Sequence, residues 1–242
     1  MRVVAIIQAR TGSSRLPRKV LKVIGGATML ERVLNRVRRS ATLNKVVVAT
    51  TTKAGDADIV AECARLGVPV FRGSEEDVLD RYYEAAKATK AEVVVRITAD
   101  CPLIDPQVVD SVVSSFLNHR PDYASNSLNR TYPRGLDVEV MSSATLSRAW
   151  REATETYQRV HVTPYIYLNP GLFSLLPVDS AGHYAQRWTV DTPEDLDFVR
   201  AIYEEFNNTD SFGWKDILKL LKQKPELLEI NHHIKQKSLQ EG

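Results

Sequence analysis

Cysteine is scarce in this sequence, with only Cys63 and Cys101 among its 242 residues. Two thiols so far apart along the chain exclude a disulfide framework and a cysteine-rich metal site such as a zinc ribbon. So few cysteines are typical of proteins in a reducing compartment, and we therefore expect this protein to be cytoplasmic.

Long hydrophobic runs are also missing. The N-terminal apolar run Val3–Ile7 is too short for a membrane span or a signal sequence. Neither sign of charge dominates, because 32 Lys and Arg residues face 30 Asp and Glu residues and leave a formal net charge of +2. Without a strong basic field or an apolar span, we expect neither nucleic acid nor a membrane as a partner.

Short apolar runs that alternate with amphipathic stretches fill the first half of the chain. Buried strands are predicted at Val3–Ile7, Lys45–Ala49, Val68–Phe71 and Glu92–Ile97. Helices are predicted between and after them, beginning at Thr28, Asp56, Glu76 and Asp105. The alternation predicts an α/β fold of three layers, with right-handed crossovers and a mostly parallel sheet.

In the second half of the chain, predicted strands and helices alternate less regularly. Strands are predicted at Tyr123–Ser125, Asp137–Met141, Phe173–Pro177 and Arg187–Val190, and helices at Ser143–Ala153 and from a Thr192 cap to Phe206. We interpret residues 1–242 as a single domain. It has an elaboration at about 121–185 and a helical C-terminal segment from about 213.

The loop after the first strand is rich in small and basic residues. Residues 9–19 read Ala-Arg-Thr-Gly-Ser-Ser-Arg-Leu-Pro-Arg-Lys, at the strand end where open α/β sheets bind their ligands. Small residues let backbone N–H groups approach phosphate oxygens, and Arg10, Arg15 and Lys19 would neutralise a triphosphate. A solvated surface loop has a similar composition, and both the P-loop and the dinucleotide motif are absent, so composition leaves the two readings open.

The order of residues in this basic loop resembles a signature of the sugar-acid cytidylyltransferases. The resemblance continues through Ile24-Gly25-Gly26 and residues 71–82, 96–102 and 188–195. That group includes CMP-KDO synthetases and acylneuraminate cytidylyltransferases, and the chain is most similar to its spore coat polysaccharide biosynthesis protein F branch. One departure is Arg18, where the family usually has glycine, which puts the local turn in question and adds a cation.

The resemblance implies a fold and a reaction. The fold is the nucleotide-diphosphosugar transferase type, which is Rossmann-like. The reaction is transfer of CMP from CTP to a sugar acid or related small acidic acceptor, with Mg²⁺ as cofactor and release of pyrophosphate. Catalysis of this kind consists mainly of positioning and charge neutralisation.

The resemblance also implies nucleotide-binding residues, most of them in the basic loop. They are Ala9, Arg10, Gly12, Ser13, Ser14, Arg15, Lys19, Gly73, Ser74 and Asp100. The implied catalytic residues are Arg10, Arg15, Lys19 and Asp100, the cations holding the phosphates and stabilising the leaving pyrophosphate. Ala9 backbone, the Gly73 turn and Ser74 are implied to read the cytosine ring.

Two aspartates follow predicted strands far apart in the sequence. Asp100 comes after Glu92–Ile97, and Asp191 comes after Arg187–Val190. Carboxylates at two strand ends can converge on a hard cation, and Mg²⁺ bound to a triphosphate needs only one or two of them. By resemblance Asp100 is the first metal ligand and Asp191 the second. Asp191 also fits another reading, as an acid at a helix N-terminus that stabilises the helix dipole.

Two further segments are candidates for acceptor binding. Residues 134–139 combine Arg134 and a turn with Asp137 and Glu139 on one face of a strand. Residues 159–165 combine Arg159 and His161 near a proline. Each of these side chains, taken singly, fits a structural role at least as well, because a lone histidine is usually a satisfied polar residue.

Two other functions fit part of the pattern. A glycosyltransferase of the same fold would use a nucleotide sugar, but such enzymes commonly carry Asp-x-Asp where this chain has Asp100-Cys101-Pro102. A non-catalytic CTP-binding regulatory protein could also use Mg²⁺. For the favoured enzyme we expect a role in surface polysaccharide or glycoconjugate synthesis. By resemblance we also expect a homodimer, with the apolar residues 165–168 in the contact.

Overall fold

The computed structural model describes residues 1–236. Its strands are β1 Val3–Gln8, β2 Val23–Ile24, β3 Ala27–Thr28, β4 Lys45–Thr51, β5 Val70–Gly73, β6 Val93–Thr98, β7 Tyr123–Ser125, β8 Glu139–Ser142 and β9 Leu175–Pro177. Its α-helices are α1 Met29–Val37, α2 Ala57–Arg65, α3 Val78–Thr89, α4 Pro106–His119, α5 Ser143–Glu152, α6 Thr156–His161, α7 Pro164–Tyr167, α8 Pro193–Glu205 and α9 Trp214–Gln223. Residues 237–242, the end of the predicted C-terminal segment, lie outside this range.

A seven-stranded sheet in the order β5-β4-β1-β6-β8-β7-β9 forms the middle of the molecule. Strand β1 pairs in parallel with β4 and β6, and β4 pairs in parallel with β5. Strand β8 is antiparallel to both of its neighbours, β6 and β7. The sheet is therefore mostly parallel, and its direction changes next to β6.

Apolar cores cover both faces of the sheet. Val3, Ala5 and Ile7 of β1 belong to one core, together with residues of α1, α4, α8 and α9. Val4 and Ile6 belong to the other, together with residues of α3 and α5. Because successive strand side chains point to opposite faces, a strand buried on both faces is a continuous apolar run. The predicted three-layer, mostly parallel α/β fold is confirmed.

Polar caps place the starts of α1 and α4 where the sequence predicts them. The Thr28 hydroxyl accepts a hydrogen bond from the Glu31 N–H at 3.1 Å, which opens α1. The Asp105 carboxylate accepts from the Gln107 N–H at 2.8 Å and is followed by Pro106 at the first turn of α4. Each cap satisfies an N–H group that has no partner within the helix.

Some elements of the second half differ from the prediction. Of the predicted strand Arg187–Val190, only Arg187 forms a β-bridge, to Arg134, within the described chain. The backbone then turns away, and the Val190 N–H donates to the Asp100 carbonyl at 2.8 Å. The short helices α6 and α7 lie between the predicted helix Ser143–Ala153 and the predicted strand Phe173–Pro177, where no element was predicted. This turn brings Asp191 beside Asp100.

Across residues 1–236, no helix combines the length and the apolar character needed to cross a bilayer.

Candidate active site

Two adjoining cavities open beyond the carboxyl ends of β1 and β6. The first has a volume of about 300 Å³ and the second about 600 Å³. They share the lining residues Gln8, Arg15, Arg96, Thr98, Asp100, His161 and Asp191. A position beyond the carboxyl ends of parallel strands is where open α/β sheets bind ligands.

The basic loop lines the first cavity. Eight of the ten residues predicted to bind nucleotide contribute to its wall: Asp100 and, from the basic loop, Ala9, Arg10, Gly12, Ser13, Ser14, Arg15 and Lys19. Gly73 and Ser74 line neither cavity. Instead the Ser74 carbonyl accepts a hydrogen bond of 2.5 Å from the guanidinium of Arg81, and Arg81 itself lines the first cavity.

A buried carboxylate, Asp56, fixes the conformation of the basic loop. Its Oδ1 accepts from the N–H and the hydroxyl of Thr11, at 2.8 and 2.6 Å. Its Oδ2 accepts from the hydroxyls of Thr50 and Thr51, at 3.1 and 2.6 Å. Burial opposes the charge, but these donors outweigh it and hold the pKa of Asp56 below its ordinary value. Asp56 was predicted only as a helix start, so this role was missed.

Arg18 adopts the left-handed backbone conformation, with φ of 58°. This is the region that glycine enters without steric cost, which explains why glycine is usual at this position in the resembling family. The Arg18 guanidinium lies outside both cavities and forms an exposed ion pair with Asp58 at 2.6 Å. The additional positive charge, that of Arg18, therefore lies on the protein surface and outside the candidate site.

Lys19 joins the two aspartates at the boundary between the cavities. Its Nζ donates to Asp100 Oδ2 at 2.7 Å, to Asp191 Oδ1 at 2.8 Å and to the Val190 carbonyl at 2.9 Å. Burial opposes the charge of Lys19, but the two carboxylates outweigh burial and raise its pKa. An ammonium group has three N–H donors, so Lys19 is fully engaged by the protein.

Asp191 carries more positive neighbours than Asp100. Besides Lys19, its Oδ2 lies 2.6 Å from Arg187 and 3.2 Å from Arg15. Although burial opposes its charge, Lys19 and then Arg187 lower the pKa of Asp191 to about 2. Burial likewise opposes the charge of Asp100, and Lys19 lowers its pKa. Both carboxylates are therefore ionised at neutral pH.

Arg10 and Arg15 are cations of the basic loop that have guanidinium N–H donors available to bind a ligand. Arg10 forms no ion pair or hydrogen bond through its side chain within residues 1–236, and Arg15 reaches only Asp191. Both line the first cavity, so an anion bound there meets two guanidinium groups. Arginine suits phosphate because its planar fork binds two oxygens at once.

The second cavity is lined by charged groups, most of them already paired. Glu139 is buried and accepts from Arg96, from the Tyr123 hydroxyl at 2.6 Å and from the Thr163 hydroxyl at 2.5 Å. Asp137 is held by the fork of Arg130 at 3.0 and 3.2 Å. These contacts give Glu139 a structural role in the cavity wall.

Arg134 differs from the other cations of the second cavity. Its guanidinium makes no ion pair or hydrogen bond with any described residue, and burial lowers its pKa from the ordinary arginine value. His161 lines both cavities. Arg159, predicted with them, lines neither cavity, because its guanidinium contacts Asp77 at 2.5 Å and the Trp150 carbonyl.

Several cavity residues were not singled out from the sequence. Gln8 and Thr98 are polar residues at the ends of the central strands β1 and β6, and Arg96 is a charged residue inside an apolar strand. Those positions were the available signal, because strand ends face the ligand in such sheets. Arg130 gave no comparable signal, since arginines in loops are usually solvated.

Comparison with known proteins connects this geometry to one family. A family model described as cytidylyltransferase matches residues 4–234. The uncharacterized protein MJ1063 of Methanocaldococcus jannaschii is 41% identical, covering 100% of this chain and 99% of that protein. The spore coat polysaccharide biosynthesis protein SpsF of Bacillus subtilis is 34% identical, covering 93% of this chain and 95% of that protein.

Partial matches and a solved structure extend the comparison. The mitochondrial 3-deoxy-manno-octulosonate cytidylyltransferase of Arabidopsis thaliana is 40% identical over 126 residues, 50% of this chain and 41% of that protein. The structure of a cytidylyltransferase from Leptospira borgpetersenii superposes with a TM-score of 0.92 at 32% identity. That superposition covers 98% of this chain and all of the other.

Proposed function

Because the chain belongs to the cytidylyltransferase family, we propose that it transfers CMP from CTP to a sugar acid or related small acidic acceptor. Pyrophosphate is the second product. We further propose that the product serves the synthesis of a surface polysaccharide or glycoconjugate, in the cytoplasm. The proposed location is supported by Cys63 and Cys101, which are both free and buried.

Membership of the cytidylyltransferase family confirms the family and the reaction class that were predicted from the sequence. The resemblance to sugar-acid cytidylyltransferases is confirmed, and the chain is a CTP-dependent nucleotidyltransferase. A nucleotide-sugar-dependent glycosyltransferase and a non-catalytic CTP-binding protein are not favoured by this result. The identity of the acceptor, a sugar acid or a related small acidic molecule, is what we propose here.

The observation that carries the proposal is the position of Asp100, Asp191 and Lys19 between the two cavities. In the proposed reaction the triphosphate of CTP binds beside the basic loop in the first cavity. The acceptor lies in the second cavity, and its hydroxyl oxygen attacks the α-phosphorus. The new P–O bond forms as the bond to the β-phosphate breaks, the hydroxyl proton is released, and pyrophosphate leaves.

The protein residues supply positioning and charge for this step. Arg10 and Arg15 bind the phosphates and stabilise the negative charge that develops on the leaving pyrophosphate. Lys19 keeps the two carboxylates together at the boundary of the cavities. Lys19 reaches the phosphates only by giving up one of its three hydrogen bonds to the protein.

The residues present fit a magnesium ion. Asp100 and Asp191 both contact the same Lys19 nitrogen, so one small cation that took the place of this ammonium could contact both carboxylates. Mg²⁺ needs only one or two carboxylates when phosphate oxygens complete its shell. When bound there, Mg²⁺ would neutralise phosphate charge and polarise the phosphorus.

Arg134 supports an acidic acceptor. It is a partly buried cation of the second cavity whose guanidinium has no counter-ion among the described residues. A carboxylate or another anionic group of the acceptor would provide that counter-ion through a bidentate contact. His161 lines the same cavity and is proposed as a further contact to the acceptor.

We also propose that the protein is a homodimer. Leu168 and Leu172, which follow α7, are large apolar side chains with 51% and 47% of their surface exposed. Ile166, part of the predicted contact, is fully buried instead in the core of its own chain. Burying Leu168 and Leu172 against a second copy would remove apolar surface from water.

Pyrophosphate release tests the proposed function. Each of the four ribonucleoside triphosphates is incubated with Mg²⁺ and a panel of sugar acids, neutral sugars and sugar phosphates. We expect release with CTP and at least one sugar acid, and little with ATP or GTP. Release only with neutral sugars would contradict the acidic acceptor, and a preference for ATP would contradict the choice of nucleotide.

A further inference from the structure

A fully buried carboxylate, Asp195, lies behind the active site in the first turn of α8. None of its surface is exposed, and it lines neither cavity. Its Oδ2 accepts from the N–H of Asp191 at 2.9 Å and from the N–H of Thr192 at 3.2 Å. Asp195 therefore fixes the backbone of Asp191 directly.

Arg187 connects the same buried carboxylate to the side chain of Asp191. Its Nε donates to Asp195 Oδ1 and its Nη2 to Asp195 Oδ2, both at 3.0 Å. Nη2 also donates to Asp191 Oδ2 at 2.6 Å. The two oxygens of Asp191 thus face different neighbours, because Oδ1 contacts Lys19 and Oδ2 contacts Arg187.

The C-terminal segment, residues 231–236, is attached to the same group of residues. The side-chain amide of Asn231, which is 4% exposed, donates to the Arg187 carbonyl and to Asp195 Oδ1, both at 3.0 Å. At the other end of the segment, Gln236 accepts from Arg187 Nη1 and lines the second cavity. Arg187 therefore contacts both the active-site carboxylate and the C-terminal segment.

We propose that Arg187 is a positioning residue that orients Asp191 and joins the C-terminal segment to the active site. Residues that orient a metal ligand by hydrogen bonds change metal affinity without touching the metal. Since coupling between two events is reciprocal, binding of CTP with Mg²⁺ and ordering of residues 231–236 stabilise each other. This inference depends on the proposed function only in assigning Mg²⁺ and CTP to the site.

Calorimetry with CTP, in Mg²⁺ and in EDTA, tests the positioning role. We expect Arg187→Met to raise the Kd for CTP about 10-fold in Mg²⁺, the lower end of the usual effect for such residues, and to leave the Kd in EDTA nearly unchanged. Arg187→Lys restores part of the affinity, because an ammonium can contact Asp191 but cannot fork to Asp195. Arg200→Met, on the exposed face of α8, is the matched control and changes neither value.

Asn231→Ala provides a second route in case Arg187→Met fails to fold. Asn231 itself lines neither cavity, so the substitution removes no cavity side chain, and we expect a smaller increase in the Kd measured in Mg²⁺. In hydrogen exchange on the full chain, we expect CTP with Mg²⁺ to slow the exchange of the amide protons of residues 231–236 several-fold in the wild type. The slowing is much weaker in Asn231→Ala.

The outcomes separate the inference from the proposed function. Equal losses of affinity in Mg²⁺ and EDTA would show that Arg187 only supports the fold, and unchanged affinity would remove its role altogether. Binding of CTP without any change in exchange at residues 231–236 would overturn the coupling alone. If the wild type fails to bind CTP, the proposed function falls and the inference falls with it.

Discussion

Lys19 shows how a side chain can be singled out from the sequence while its contacts become visible only in the structure. The basic loop marks Lys19 as a phosphate-binding cation, and the resemblance supports that assignment. In the structure its ammonium group contacts Asp100, Asp191 and the Val190 carbonyl instead. Asp100 lies 81 positions from Lys19 along the chain, and Val190 and Asp191 lie further away still. No local sequence pattern therefore predicts these contacts.

Neutralising the cations of the loop should weaken the use of CTP more than the binding of CMP. CMP lacks the β- and γ-phosphates, and one charge-assisted contact contributes about 1.5–3 kcal/mol, or roughly ten- to a hundredfold. We expect Arg10→Met and Arg15→Met each to lower kcat/KM for CTP by such a factor. Calorimetry with CTP and CMP checks the contrast, with Arg2→Met as the exposed control. Equal losses for both nucleotides would assign the loop to the base pocket or the fold.

Asp100→Asn should abolish turnover and leave the fold intact. The amide keeps the size of the side chain and can still accept from Lys19, but it loses the negative charge that a cation requires. Turnover at limiting Mg²⁺ and circular dichroism together measure the effect. Asp58→Asn is the control, because Asp58 is an exposed partner of Arg18 outside both cavities. Near-normal turnover of Asp100→Asn would exclude Asp100 as a ligand.

At the scale of elements, the parallel strands could be predicted and the later ones only in part. Strands β1, β4 and β6 are apolar runs buried on both faces, a pattern that shows directly in the sequence. The antiparallel direction of β8 and the short helices α6 and α7 depend on tertiary pairing. The predicted strand at Arg187–Val190 failed for the same reason, since its apolar residues pack in the core without a neighbouring strand.

The link between the basic loop and β4 depends on the ionised form of Asp56. Its pKa is lowered in the folded state, so its contribution to stability is present above the unfolded pKa of about 3.9 and is lost as the pH falls through the folded value. We expect Asp56→Asn to destabilise the protein by about 1–3 kcal/mol near neutral pH. Thermal unfolding from pH 7 to pH 3 should show the difference from wild type shrinking below about pH 4.

A constant difference across that range would show that the charge of Asp56 is not involved. Asp197→Asn is a suitable control, because Asp197 is 62% exposed and, among residues 1–236, pairs only with Arg200 on the surface. We expect its effect to be small at every pH, since exposed ion pairs contribute little.

The proposed dimer is a property of the whole molecule. We expect Leu168→Arg combined with Leu172→Arg to convert the dimer to a monomer, because two charges would replace apolar surface at the contact. Light scattering at micromolar concentration measures the mass. Val23→Arg is the matched control, since Val23 is 52% exposed on a different element. A wild-type monomer, or a dimer that survives both changes, would contradict the proposed contact.

The change of strand direction beside β6 has a consequence for how such proteins diversify. Residues that line only the second cavity all follow Asp100 in the chain, whereas those that line only the first, apart from Val160, all precede it. If the first cavity binds the donor and the second binds the acceptor, as proposed, then donor binding and acceptor choice are encoded in successive stretches of the gene. Recombination near the codon for Asp100 could join an unchanged first stretch, which lines the first cavity, to a new second stretch, which lines the second cavity. A chimera that takes the second stretch from a relative should then make the relative's product from the same CTP.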